Sequence, residues 1–132
     1  MDSASEVDFA GTMDVHGIRW LYAPDNFPWY PPVKSYTPDF KVYRKDGSSF
    51  YVEYKGFLWN EDKTKMKAMK EQHPNVDIRF VFANAKKPVH GAKTRKNGTK
   101  MSHAEWAEKH DYKWAEGFIP PAWLEEKGDS EC

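Results

Sequence analysis

Apolar and polar positions alternate with period two through TPDFKVYR (residues 37–44) and again through SSFYVEYKGF (48–57). That alternation predicts two strands, and Lys45-Asp46-Gly47 between them has the composition of a hairpin turn. The period then changes. EDKTKMKAMKEQH (61–73) sets Met66, Ala68 and Met69 in a narrow apolar stripe, which predicts a helix capped by Asn60 and stopped by Pro74. VDIRFVFA (76–83) reads as a strand ending in a buried run, so the order strand, helix, strand predicts a β-α-β unit with a right-handed crossover.

Upstream, SASEVDFAGTMDVHGI (3–18) predicts a short helix capped by Ser3 or Ser5, with Val7, Met13 and Ile18 as its apolar positions and Gly17 as its end. IRWLY (18–22) predicts a strand. The segment 23–35, APDNFPWYPPVKS, holds four prolines and three aromatics in thirteen residues, which excludes a helix or a central strand and predicts an extended connector. Downstream, residues 86–100 read as a loop, and Ser102 with Glu105 forms a capping box opening HAEWAEKH. DYKWAEGFI predicts a last strand, and PPAWLEEK a last helical turn with Pro at its start. The order of elements predicts a single α/β domain of mixed α+β type, spanning residues 1–132.

Composition adds compartment and charge. The chain has 132 residues, of which 16% are aromatic and 30% charged, enough for one core and a solvated surface. The single cysteine, Cys132, excludes an intramolecular disulfide or a cysteine zinc site and predicts a reducing, cytoplasmic setting. MDSASEVDF lacks the basic and apolar regions of a signal peptide, and no run approaches the ~18 apolar residues of a membrane span. The net charge of zero conceals a pattern: residues 1–40 carry two basic and six acidic side chains, residues 41–100 fifteen and six, and residues 101–132 three and eight. A basic middle in a neutral chain predicts a local surface for a polyanion, against the plainer reading of solvated helix faces.

Charge also stands where a strand should avoid it. Glu53 and Lys55 point to the same face, and Asp39 lies opposite them if the two strands pair. Two close carboxylates repel, and a divalent cation removes that repulsion. Mg²⁺ suits oxygen donors, keeps several waters, and would find a third protein ligand in the Tyr54 backbone carbonyl. Lys55 would orient or deprotonate a water, or neutralise a phosphorane-like state, which is the equipment of metal-assisted phosphodiester hydrolysis. Without further information an edge-strand ion pair between Glu53 and Lys55 explains the same residues.

More of the chain carries a resemblance. YTPDF, VEYKGFLW, KEQHPNVDIRFVF, AEWAEKH and IPPAWL together resemble the phage endonuclease I family, from Glu6 to Leu124. These are Holliday-junction resolvases related in fold to type II restriction enzymes. The resemblance implies a restriction-endonuclease-like central mixed β-sheet flanked by helices, in an intertwined, domain-swapped homodimer. It implies that Asp39 is a metal-binding aspartate and that Glu53 and Lys55 are the catalytic glutamate and lysine. It adds Glu6, eleven residues before the pair Gly17-Ile18, as an acid serving a second metal or its water. The implied cofactor is Mg²⁺, with Mn²⁺ as a substitute and two ions per active site. The implied partner is branched DNA, the implied place the host-cell cytoplasm, and residues 24–35 the implied bridge between subunits, with Glu6 supplied by one chain and Asp39, Glu53 and Lys55 by the other. A twofold dimer matches the symmetry of a four-way junction. Against the family pattern, the hairpin around Arg44 to Ser49 and the loop 86–100 look lengthened, the arm before Glu6 is short, and the tail EEKGDSEC is acidic.

For DNA contact, Lys86, Lys87, Lys93, Arg95, Lys96 and Lys100 fall in fifteen residues without an acid, and Lys63, Lys67 and Lys70 share one helix face while Lys65 lies off it. Histidines 73, 90, 103 and 110 fit no common ligand spacing, and His103 with His110 reads as a surface stripe. Two other readings remain: a restriction-like or general nicking endonuclease of the same fold, and a DNA-binding module without catalysis.

Overall fold

The computed structural model describes residues 3–29 and 34–128. In chain order its elements are α1 (Ser3–Val15), β1 (Trp20–Tyr22), β2 (Phe27–Trp29), β3 (Lys34–Tyr36), β4 (Phe40–Tyr43), β5 (Ser49–Lys55), α2 (Asn60–Gln72), β6 (Ile78–Phe82), α3 (His103–Lys109), β7 (Trp114–Glu116) and α4 (Pro121–Glu125). One mixed sheet runs β1-β4-β5-β6-β7, antiparallel on the β1-β4-β5 side and parallel on the β5-β6-β7 side. The predicted hairpin is β4–β5, with Phe40 opposite Val52 and Tyr43 opposite Ser49. Gly47 holds its turn at φ +90°, a conformation that favours glycine. The predicted β-α-β unit is β5-α2-β6.

Helices cover both faces of the sheet, which gives two cores. Phe9 and Met13 of α1, Ile119, and Trp123 of α4 pack on Phe40, Val42, Phe50, Val52 and Val81. Met66 and Met69 of α2 with Trp106 and Ala107 of α3 pack on Ile78, Phe80 and Phe82. β6 is therefore buried on both faces, and its sequence is a continuous apolar run except for Arg79. On β5, Phe50 and Val52 enter the α1 side, while Tyr51 packs on the α2 side. Glu53 has the same parity as Tyr51, so strand alternation sends it toward α2.

Arg79 is 1% exposed. Its Nε and Nη2 donate to the two oxygens of Asp77 at 2.9 Å each, and Nη1 and Nη2 donate to Glu126 at 3.1 and 2.7 Å. The guanidinium also sits over the rings of Phe50 at 4.4 Å and Trp123 at 5.2 Å. Arg44 adds a third bond to Asp77 at 2.9 Å. The group ties the end of α4 to the sheet.

Several expectations need correction. Val7 is 61% exposed, and Phe9 takes the core position, because the buried stripe of α1 runs Phe9, Ala10 and Met13. Asn60 does not cap α2; the Asp62 carboxylate accepts the Trp59 N–H at 3.0 Å instead, since the helix begins one residue earlier than a side chain on Asn60 could serve. The connector is not wholly extended: β2 and β3 pair as an antiparallel ribbon, Phe27 opposite Tyr36, and Pro28 is tolerated in a strand with only one neighbour. Residues 30–33 of the expected bridge lie outside the described residues. The capping box is as predicted: Ser102 Oγ accepts the Glu105 N–H at 3.1 Å, and the Glu105 carboxylate accepts the Ser102 N–H at 2.9 Å. Ser102→Ala is expected to cost about 1 kcal/mol in urea denaturation, with Ser102→Thr closer to native.

Candidate active site

β5 outlasts its antiparallel partner. Pairing with β4 ends at Phe40 and Val52, so the last three residues of β5, Glu53 to Lys55, run on beside no strand on that edge. The Tyr54 N–H points to that edge, and Asp39 Oδ2 accepts it at 2.9 Å. A cleft of about 710 Å³ opens there, lined by Glu6, Asp39, Glu53, Tyr54 and Lys55, with Asp62 and Lys65 from α2. The residues named for catalysis from sequence thus share one cleft, and they do so within a single chain. The Tyr54 carbonyl lies on the same edge as its N–H, because both groups of one strand residue face one neighbour.

Glu53 is 4% exposed and held at both oxygens. Tyr36 Oη donates to Oε1 at 2.7 Å, and Lys55 Nζ lies 3.3 Å from Oε2. Lys55 also donates to Asp62 Oδ1 at 3.0 Å. Glu6, 5% exposed, comes from the first turn of α1, which Phe9 locks by stacking on Tyr54 at 5.1 Å. Burial raises the Asp39 carboxyl to about 6, Glu6 adds to the rise, and the Tyr54 bond and Lys55 oppose it. Burial and then the charge of Asp39 raise Glu53 to about 7 against Lys55 and Tyr36. Burial works against the Lys55 ammonium, but Glu53 and Asp62 outweigh it and hold its pKa above the usual value. Lys55 is therefore a fixed cation, which suits neutralising a phosphate and does not suit accepting a proton from water.

These raised carboxyls make a prediction about stability. The unfolded carboxyls ionise at their ordinary values of 3.8 and 4.5, while the folded ones retain protons to about 6 and 7. Folding thus binds protons, and stability is full below pH 4 on this account, falls between pH 4 and 7, and stays low above. In metal-free buffer the loss from pH 5 to pH 8 is expected to be about 1–3 kcal/mol smaller for Glu53→Gln than for the native chain. Calorimetry at the two pH values measures it, and equal losses would contradict the electrostatic account.

Among the described residues, no group of three or more His, Cys, Asp and Glu side chains forms a ready metal cage. The donor set nevertheless fits one hard cation. Asp39, Glu53 and the Tyr54 carbonyl would supply oxygen ligands, a hydrated Mg²⁺ needs few protein ligands, and its charge would offset the burial and, after it, the like-charge neighbours that raise both carboxyls.

Three contributors have no local signature in the sequence: Tyr36, which holds Glu53; Asp62, which holds Lys55; and Lys65, whose charge also acts on Glu53. Lys65 lies off the face of Lys63 and Lys67, and for that reason it faces the cleft. Of the other expected cations, Lys87 lines the active cleft. Lys63, Lys67, Lys93 and Arg95 line a separate groove of about 440 Å³ between α2, the 86–100 loop and α3. There Lys63 donates to the His90 carbonyl at 2.8 Å and Arg95 pairs with Glu105 at 3.1 Å. Lys70 leaves that groove and donates to the Asp111 carbonyl at 3.0 Å. Lys86, Lys96 and Lys100 are exposed on the loop. His103 is no surface residue: it is fully buried, with Nε2 accepting the Leu58 N–H at 2.9 Å.

The model of one protein family, phage endonuclease I, matches residues 2–131. The chain belongs to that family. Endonuclease I of Escherichia phage T7 is 32% identical over 116 residues, which cover 86% of this chain and 71% of that protein. Endodeoxyribonuclease 1 of Enterobacteria phage T3 is 31% identical over 116 residues, covering 86% and 70%. Membership of the phage endonuclease I family accords with the cleft at the end of β5. Among the described residues no helix is long and apolar enough to cross a membrane.

Proposed function

We propose that this chain is a DNA endonuclease of host-cell cytoplasm that resolves four-way junctions and other branched DNA by Mg²⁺-assisted phosphodiester hydrolysis. One observation carries the reading: Glu6, Asp39, Glu53 and Lys55 converge on one cleft where β5 runs past β4. Asp39, Glu53 and the Tyr54 carbonyl would hold Mg²⁺, or Mn²⁺ in its place, and Glu6 beside Asp39 would serve a second ion. A bound ion of this kind supplies Lewis acidity and a water of lowered pKa. Lys55, kept cationic by Glu53 and Asp62, faces the phosphate and offsets the charge that builds on it. Tyr36 fixes the orientation of Glu53, and Lys65 and Lys87 draw the backbone into the cleft.

Homodimerisation with composite sites belongs to the same proposal, because symmetric resolution needs two linked centres. In chain order the ribbon β2–β3 lies between α1 and β1 and the remaining strands of their sheet, so exchange between chains would preserve every contact of the cleft while supplying Glu6 from a partner. Light scattering tests the mass. The function is tested by incubating the protein and Mg²⁺ with a four-way junction and with linear duplex of the same sequence. Paired cuts in the junction are expected. An intact junction, under conditions where it is bound, would sink the reading, and equal cutting of the duplex would replace it with general nicking.

A further inference from the structure

We propose that Trp59 is a stacking platform for a nucleobase with one face unstacked beside the scissile phosphate, and so a residue that selects DNA whose stacking is interrupted. The inference rests on the nuclease reading above and gives it a basis for shape selection. Trp59 is 55% exposed, and among the large exposed hydrophobics of the described surface it is the one that lines the active cleft. Its position is fixed from two directions. The backbone N–H is held by Asp62 Oδ2 at 3.0 Å, and the other oxygen of the same carboxylate accepts from Lys55 at 3.0 Å. The platform is therefore two hydrogen bonds from the cation that would face the phosphate.

The ring is wedged as well. Phe57 packs edge-on at 4.6 Å and His90 tilts against it at 5.1 Å. Phe57 is in turn packed on buried His103 at 5.5 Å, and Lys87 lies 5.2 Å over its ring. An aromatic held rigid from behind and open to water in front loses little freedom on accepting a second flat ring. Within a continuous duplex each base already has neighbours on both faces and offers none. At a branch point one face is free, and a base–aromatic stack reads that geometry with no regard to sequence.

The test uses the full chain and a junction whose cleavage points have been mapped. Abasic sites are placed in turn at the nucleotides flanking the cut. On the intact junction Trp59→Ala is expected to raise KM roughly 5- to 100-fold, and Trp59→Phe to recover most of it. On one of the abasic junctions native chain and Trp59→Ala should behave alike, because the base to be stacked is gone. The proposal is overturned if Trp59→Ala cuts the intact junction as well as the native chain does, or if its defect is the same on every abasic junction. Thermal melting of the variant should match the native chain, given the exposure of the ring; a large drop would also count against the proposal. Affinity in Ca²⁺ repeats the comparison without cleavage. A native chain that binds but does not cut would refute the function above while this arm still decides the role of Trp59, and a chain that does not bind would overturn both.

Discussion

Lys55→Ala is expected to slow junction cleavage by about 10²- to 10³-fold while leaving junction affinity in Ca²⁺ nearly unchanged. The ammonium is gripped by Glu53 at 3.3 Å and Asp62 at 3.0 Å, so it meets the substrate already aimed. Its contribution grows as negative charge accumulates on the phosphate, which places the loss in kcat rather than in binding. Lys55→Arg should rescue poorly, because a planar fork does not fit a point-charge role between two carboxylates. Asp62→Asn keeps the hydrogen bond to Trp59 possible but weakens the aim of Lys55, with an expected loss of about tenfold. Single-turnover rates on a labelled junction separate these variants. Native rates from Lys55→Ala would remove Lys55 from the chemistry.

Arg79→Ala is expected to be the most damaging substitution for stability, at about 2–4 kcal/mol, or on the order of 10 °C in Tm. Arg79 is 1% exposed, yet Asp77 and Glu126 retain side-chain exposures of 40% and 32%. Water therefore softens the penalty of stranding the two acids, and the lower end of the range for a broken buried pair applies. The loss also includes stacking on Phe50 and Trp123. Arg79→Lys keeps the charge and gives up the fork and the stacking, so it should fall between native and Ala. Urea denaturation decides. If Lys restores native stability, charge alone holds the cluster; if Lys is as poor as Ala, geometry does.

The fold was legible where local chemistry and tertiary demand agree. Gly47 marks the hairpin, Ser102 and Glu105 mark the start of α3, and the Met66 and Met69 stripe marks the buried face of α2. Asp39, Glu53 and Lys55 stood out because charge breaks the pattern of a strand. Glu6 did not, since an acid in a first helical turn is ordinary, and only the family resemblance singled it out. Tyr36, Asp62 and Lys65 were hidden for another reason: each reaches the site through the docking of α2 or the ribbon on the sheet, and docking angle leaves no periodic trace. His103 was misplaced because spacing along a helix says which residues share a face and not which face is buried. Arg79 was covered by the apolar run around it.

The β4–β5 hairpin bears on how such a nuclease tolerates insertions. The turn lies at one end of the ladder and the cleft at the other, so added residues enter far from the chemistry. Strand side chains alternate, however, and parity then acts as a filter. Lengthening both strands by equal numbers slides the turn outward and keeps Phe40 facing Val52. A single residue inserted within β5 ahead of Glu53 shifts the register by one, turns Glu53 and Lys55 toward the α1 core, and destroys fold and site together unless a bulge absorbs it. Viable length variants of this hairpin should therefore come in steps of two, a constraint on descent that no catalytic residue imposes directly.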